Sequence, residues 1–564
     1  MNVESLDRIL SKINTFTTVD PLQKRNGRSE LKVACIMDLF SYECFKYECT
    51  LEPLAASTWR QQLDNMEPDF ILVESAWNGL TGDWKNQIID LNECADAILL
   101  ELIQYCKEHH LPTVFWNKED DIFYPRFIHA AKLFDFIFTT DANCIELYKR
   151  DAGHDRVFVL PFAAQPAIHN PIDLYAHNKG NVAFSGSWYN RFTERNEQLK
   201  MLLNSAIEFG LTIFNRMNNK PECLYPDEYK AYIVGSLSYA QVVKSYKLYN
   251  VFLGVSTITN SPTMIARRYF ELLACGTPII SSYAKAIESL FNGLVLISHT
   301  SEETTGHLEK LLGDSDYSRR LSVAGIREIY SKHLYKHRFT YIVENIGMPC
   351  YIDRTDDVCV ITCLENMEQA NNVLDNYSQQ LWTKKQLILL VEDSIPLSLL
   401  EERINSFDNV SICSLSGMSI SNRIHYIANN VSSHYISLFN PEHYYAPHFL
   451  TDLMHSFEYS HAQIVGKSAR YELTDTGPHI YFPNQEHLFV NELCTSAMVV
   501  MKDVLRQIHW EGSSTEAETL FFTACTNRGY RIYATDRFNF LYVPVDIEQM
   551  TNQQVYQAQS YVTV

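Results

Sequence analysis

Short apolar runs and longer amphipathic stretches take turns along most of the chain. Lys32–Met37 is apolar and ends at Asp38, and Phe70–Val73 leads into Glu74, Ser75, Ala76 and Trp77. Thr113–Trp116 leads into Asn117–Asp120, Phe136–Phe138 into Thr139–Asp141, and Val157–Leu160 into Pro161. Each run has the length and β-branched or aromatic content of a strand, and helical spacing lies between them, for example over Trp84–Cys106. Strands alternating with helices predict a parallel sheet covered on both faces, whose ligands bind beyond the carboxyl ends of the strands. The polar residues that follow the runs, Asp38, Glu74, Trp77, Glu119 and Asp120 among them, fall at those ends.

A second alternating set begins at Asn181–Phe184 and continues through Thr212–Phe214, Val251–Leu253, Thr277–Ser281 and Leu294–Ile297. Its first turn, Ser185-Gly186-Ser187-Trp188-Tyr189-Asn190-Arg191, precedes a helix from about Thr193, so free backbone N–H groups would face an anion there. Two parallel-sheet lobes in series predict a cleft that brings two substrates together. A third set runs through Val358–Thr362, a helix over Ala370–Leu381, Gln386–Val391, His434–Phe439 and a helix over Pro447–Phe457.

The boundaries follow: a polar extension at 1–28, a first lobe at 29–170, a second at 171–345, a linker at 346–356, and a smaller α/β domain at 357–564. Leu6, Leu10 and Ile13 make the extension amphipathic, as a helical extension or a homodimer contact would be.

The stretch Ser261–Ser282 concentrates the candidate chemistry of the second lobe. Ser261-Pro262-Thr263 offers a helix cap with Pro in the first turn, Gly276 and Pro278 end the helix, and Thr277–Ser281 follows as a buried strand. Arg267 and Glu271 are four apart and share a face. They offer a cation for phosphates and a carboxylate for sugar hydroxyls, or else a surface ion pair.

Composition narrows the partners. The 564 residues exceed one core, and 46% hydrophobic with 20% charged residues is ordinary for a globular protein. A net charge of −20 argues against nucleic acid and against an anionic membrane surface. No apolar run is long enough to span a bilayer, Met1-Asn2-Val3-Glu4 does not open a signal peptide, and the fourteen cysteines form no framework. A cytoplasmic protein with reduced thiols is expected.

These residues carry a resemblance. Glu74-Ser75-Ala76-Trp77, Phe115–Asp120, Asp135–Asp141, Phe184–Tyr189 and Ala266–Pro278 occur in the order seen in the CgeB-type spore maturation family of two-lobed GT-B glycosyltransferases. The resemblance covers the first 345 residues and implies two Rossmann-like lobes, a nucleotide-sugar donor (a UDP-sugar foremost), and a glycan, glycoconjugate or protein acceptor in a spore or cell surface layer. It implies that Glu271 holds the ribose, that Arg267 lies toward the diphosphate, and that Gly276 is structural. Thr263 stands where wider GT-B relatives carry a second glutamate.

The tail resembles a family-2 glycosyltransferase of the single-lobe GT-A type, most closely over Tyr435–Tyr445 and Pro447–Leu450. Asn440 and Glu442 replace its metal-binding aspartates, and Glu516-Ala517-Glu518 replaces its catalytic Glu-Asp pair. A degenerate domain serving acceptor binding or assembly is expected. Manganese or magnesium would enter only with Glu442 and Glu518, and no metal is expected in the GT-B part.

The expected donor side is Ser185, Gly186, Ser187, Arg191, Arg267 and Glu271. Asp120, then Glu119, is the expected catalytic or orienting carboxylate, the alternative being a capping or loop acid. Asp38, Glu74 and Trp77 are the expected acceptor wall. Rival functions are a sugar-nucleotide epimerase of the same shape and a non-catalytic carbohydrate-binding scaffold.

Overall fold

The computed structural model of the protein describes residues 4–19, 30–94, 97–217, 220–349, 356–392, 395–414, 417–510, 514–544 and 552–564. Part of the extension, 20–28, and most of the linker, 350–355, lie outside the described residues. The chain forms two compact units. The first comprises Met1–Phe16, Asp20–Asn170 and Asn178–Asp353, and the second Thr17–Val19, Pro171–His177 and Arg354–Val564.

The first unit holds two parallel six-stranded sheets. One contains β1 (Lys32–Ile36), β2 (Thr50–Pro53), β3 (Phe70–Glu74), β4 (Thr113–Asn117), β5 (Phe136–Thr139) and β6 (Val157–Val159), in the order β2-β1-β3-β4-β5-β6. The other contains β7 (Gly180–Gly186), β8 (Leu211–Asn215), β9 (Ile233–Gly235), β10 (Tyr249–Gly254), β11 (Ile279–Ser282) and β12 (Val295–Ser298), in the order β12-β11-β10-β7-β8-β9. The central strands are buried because helices cover both faces. β3 and β4 are buried at every position, as are β8 and β11. The expected pair of Rossmann-like lobes is present, and the order reverses between β1 and β3 in one sheet and between β10 and β7 in the other. At those points the crossing helices diverge and leave a crevice.

The helix Tyr335–Asn345 ends the second lobe but binds the first. Arg338 on it donates from Nε to the carbonyl of Pro161 at 2.8 Å and from Nη2 to that of Phe162 at 2.9 Å. The N-terminal helix Leu6–Thr15 buries Ile9 and Ile13 within its own unit and packs on the helix Tyr239–Ser245.

Three local expectations change. Trp84–Cys106 is not one helix. Turns lead from Trp84 to the helix Ile98–Glu108, with Asn86 and Asp90 in the left-handed region. Trp84 is instead fully buried and donates from its indole to the carbonyl of Leu54 at 2.7 Å. The helix expected from Ser261 begins only at Arg268. Ser261 Oγ accepts from the N–H of Met264 at 2.9 Å and so closes a tighter local turn. The edge strands β2 and β9 carry too little apolar pattern to be seen in the sequence.

The second unit contains a mixed sheet. Val410–Cys413, Lys385–Val391, Val358–Leu364 and Tyr435–Leu438 run parallel. Met498–Met501 then joins antiparallel, and Ile464–Gly466, Ile532–Ala534 and Leu488–Val490 complete eight strands. A four-stranded sheet accompanies it. Among the described residues no helix of either unit is long and apolar enough to cross a membrane. The thirteen described cysteines are free.

Candidate active site

A cavity of about 880 Å³ opens between the two lobes of the first unit, at both crevices. Asp38 after β1, Trp77 and Asn78 after β3, and Lys118–Asp120 after β4 form one wall. Gly186 and Ser187 after β7 and Val255–Ile258 after β10 form the other.

The first wall is built on a buried charge. Lys118 is 3% exposed and ion-pairs with Glu74 at 3.0 Å and Asp38 at 3.4 Å. Burial raises the Glu74 carboxyl, against the pull of Lys118. Asp38 in turn accepts from the backbone N–H groups of Trp77 at 3.2 Å and Gly79 at 3.1 Å. Glu74 and Asp38 thus fix the turn that presents Trp77, and Glu74 itself does not line the cavity.

The two carboxylates expected to be catalytic differ in their surroundings. Asp120 is fully buried, and its oxygens accept from Asn117 Nδ2 at 2.9 Å, Tyr148 at 3.1 Å and Thr139 at 2.6 Å. Burial pushes its pKa up to about 7. Its side chain is occupied in tying β4 to β5. Glu119 is half-buried at the cavity, and burial raises it against the opposing charge of Lys118.

On the opposite wall the helix Thr193–Ile207 begins at Phe192, which has no side-chain acceptor for the free N–H groups of the first turn. Arg195 in that turn is half-buried and donates from Nη1 to the carbonyl of Ser187 at 3.2 Å. Burial lowers its pKa, and Arg268 beside it adds to the effect. Arg268 lies against β7. A Cβ at Gly186 would stand 2.7 Å from the Phe184 ring, so glycine leaves room for that ring, and Arg268 Nη1 would be at an ordinary contact distance of 3.5 Å. Arg268 Nε and Ser187 Oγ are buried with no hydrogen-bond partner among the described residues. Two guanidiniums, an unpartnered hydroxyl and a helix start with no side-chain cap thus lie along this wall, all of them donors or positive charge.

Arg267 and Glu271 are elsewhere. Glu271 is 2% exposed, and its oxygens accept from Tyr246 at 2.8 Å and Tyr239 at 3.0 Å, with Arg267 at 3.4 Å. Arg267 lies between the rings of Phe40 in the first lobe and Tyr239 in the second, at 4.2 and 4.4 Å. His169 Nδ1 accepts from Gln165 N–H, which leaves Nε2–H to meet the Tyr239 oxygen at 3.0 Å. Burial lowers the His169 pKa to about 4, so the ring is neutral at pH 7. Burial opposes ionisation of Glu271, but Arg267 and the hydrogen bonds from Tyr246 and Tyr239 bring its pKa below the ordinary value. The group is a sealed clasp between the lobes. Neither residue lines the cavity, nor does Ser185 at the end of β7.

Thr263 belongs to a second clasp. Its hydroxyl donates to the carbonyl of Thr140 at 2.8 Å and accepts from Ala142 N–H at 2.9 Å. Ser261 donates to Asp141 at 2.6 Å.

The sequence reading therefore placed Gly186, Ser187, Arg191, Asp38, Trp77 and Glu119 at the cavity, with Asp120 at its edge. It missed Arg195, Arg216, Lys220 and Arg268 on one wall and Lys118, Phe123 and Arg126 on the other. One local signal was available: Arg195 puts a cation in the first turn of a helix, against the helix dipole, which marks a residue serving something other than the helix.

In the second unit Glu442 accepts from Gln369 at 2.8 Å, and Glu518 from Thr495. Burial raises the Glu518 carboxyl. Among the described residues no group of three His, Cys, Asp or Glu is gathered for a metal ion.

Residues 195–344 match the model of a family described as glycosyl transferase-like. The matched segment contains Arg195, Arg216, Arg268 and Glu271. No curated protein matches the chain. Solved structures of TarS residues 1–349 from S. aureus are similar at 14% identity with UDP-GlcNAc and 13% with UDP, each at a TM-score of 0.28. The likeness covers 35% and 36% of this chain and 61% and 64% of theirs, so it spans less than two thirds of those structures. Sucrose-phosphate synthase from Thermosynechococcus elongatus is similar at 12% identity and a TM-score of 0.35, over 51% of this chain and 75% of that one.

Proposed function

We propose that the first unit is a glycosyltransferase that takes a sugar from a nucleoside diphosphate sugar, a UDP-sugar foremost. The observation that carries this is the juxtaposition of Arg195 and Arg268 with the unpartnered Ser187 hydroxyl at the reversal point of the second sheet. Two half-buried cations that repel each other are relieved by an anion between them, and a diphosphate supplies that charge. The glycosyl transferase-like match over residues 195–344 supports the same reading.

The chemistry follows from the two walls. Arg195, Arg268 and the helix start hold the diphosphate and stabilise the charge it gains on leaving. Glu119, with its raised carboxyl beside Trp77, takes the acceptor's proton. The acceptor oxygen bonds to the anomeric carbon as the bond to the diphosphate oxygen breaks, and that electron pair leaves with the diphosphate. Guanidiniums do the work that a divalent cation would do elsewhere, so the proposal needs no metal in this unit. Glu271 and Arg267 hold the lobes together around the site.

The proposal extends to a hexosyl donor, to a glycan, glycoconjugate or protein acceptor, and to the CgeB-type role at a spore or cell surface layer that the sequence resemblance implies. The second unit is proposed as a GT-A-like domain that engages the acceptor.

A panel of nucleotide sugars tests this on the full chain. A UDP-sugar is expected to raise the melting temperature, and to transfer its sugar in EDTA. The reading fails if no nucleotide or nucleotide sugar shifts the melting curve. Conversion of the donor to its epimer without acceptor would replace transfer by epimerisation.

A further inference from the structure

The cavity is charged out of proportion to one diphosphate. Seven of its lining residues are basic and four acidic, in a chain with a net charge of −20. Lys118 is neutralised by Glu74 and Asp38. Arg195 and Arg268 account for the diphosphate. Arg126, Arg191, Arg216 and Lys220 remain; Arg216 donates to the Tyr189 hydroxyl at 2.7 Å, and Arg191 is differently placed. It is exposed, with no hydrogen-bond or ion-pair partner among the described residues. Its guanidinium lies 4.6 Å from the ring of Phe192 in its own lobe and 5.7 Å from that of Phe123 in the other.

Phe123 begins an array. Its ring meets Trp77 edge to face at 5.1 Å, and Arg126 lies 5.5 Å from the Trp77 ring on its own side. Arg126 is ion-paired with Asp90 through both Nε, at 2.8 Å, and Nη2, and stays 44% exposed, so an incoming anion would meet its outer edge. Each ring of this aromatic pair thus has a guanidinium beside it, Arg191 at Phe123 and Arg126 at Trp77, and Glu119 lines the same cavity. Aromatic rings in such a floor pack against the C–H face of a sugar, while guanidiniums select carboxylate or phosphate.

We propose that the acceptor is an anionic glycan. Its accepting residue packs into the corner made by the perpendicular rings of Trp77 and Phe123, and its charged groups meet Arg191 and Arg126. This rests on the reading of the cavity as a transferase site and adds the acceptor's class to it. The charges can be uronate carboxylates or phosphodiesters, which offer a guanidinium the same pair of oxygens. Arg191 then belongs to the acceptor and not to the diphosphate.

Calorimetry on the full chain saturated with UDP tests the assignment. Three probes are used: oligogalacturonate, a mannan oligosaccharide bearing phosphodiesters, and the same mannan without them. At least one anionic probe is expected to bind about tenfold tighter than the neutral mannan, with affinity that falls as salt is raised. The anionic probe that binds tighter identifies the source of the charge. Arg191→Gln is expected to weaken that probe about tenfold, and Arg191→Lys by less than about threefold, with UDP affinity changed by less than about twofold. Arg126→Gln repeats the test at the other end, with the melting temperature as a check on folding.

The proposal is overturned if the neutral mannan binds as tightly as both anionic probes, or if none of the three binds. It is also overturned if Arg191→Gln weakens UDP as much as the glycan, which would return Arg191 to the diphosphate. Loss of UDP binding with glycan binding intact would sink the donor reading and leave this one standing.

Discussion

Arg267 and Arg268 are consecutive, yet their guanidiniums serve different places. Arg267 is packed between Phe40 and Tyr239 and paired with Glu271, while Arg268 lies against Phe184 at the cavity. Substituting each to alanine should separate stability from binding. Arg268→Ala should weaken UDP by about tenfold to a hundredfold, the cost of one charge-assisted contact, with little change in melting temperature. Arg267→Ala leaves Glu271 buried without its ion pair and should destabilise the unit by about 3–5 kcal/mol. Calorimetry with UDP and thermal unfolding give the two readouts, and equal effects on both by the two variants would contradict the division.

Glu119 is proposed as the base and Asp120 as a tie between strands. Glu119→Gln should lower transfer by about a hundredfold to ten-thousandfold and leave UDP affinity unchanged. Steady-state rates with a UDP-sugar and calorimetry with UDP decide it. A variant that keeps its rate removes Glu119 from the chemistry.

Asp120 should make stability depend on pH. Its pKa rises from an ordinary carboxylate value to about 7 on folding, because burial disfavours the charged form. The folded protein therefore binds a proton that the unfolded chain releases, so stability falls as pH rises from about 4 to about 7 and is level above that. Asp120→Asn should flatten this part of the curve of melting temperature against pH. An unchanged slope would mean that another group titrates there.

The second clasp can be tested without touching the cavity. Ser261 donates to the buried Asp141, whose other oxygen has no partner among the described residues. Ser261→Ala should cost about 1–3 kcal/mol, read by denaturant unfolding. A variant as stable as the parent would show that the lobes do not depend on this contact.

The sequence alone determined the lobes, since strands buried on both faces must be apolar throughout and helices between them must repeat at their own period. It also determined which loops reach the crevice, because in a parallel sheet the residues after each strand share one edge; Asp38, Trp77, Glu119 and Ser187 were legible for that reason. Only the tertiary structure decided what each polar side chain faces. Successive helical residues turn by about 100°, so no local pattern chooses between Arg267 and Arg268 for the cavity. Nor could spacing show that Glu271 meets Tyr239 and Tyr246, which lie 32 and 25 residues away in the chain. The i,i+4 pair singled out by the sequence is real, but burial between the lobes makes it a clasp, and it is the neighbouring arginine, with Arg195 from another helix, that lines the cavity.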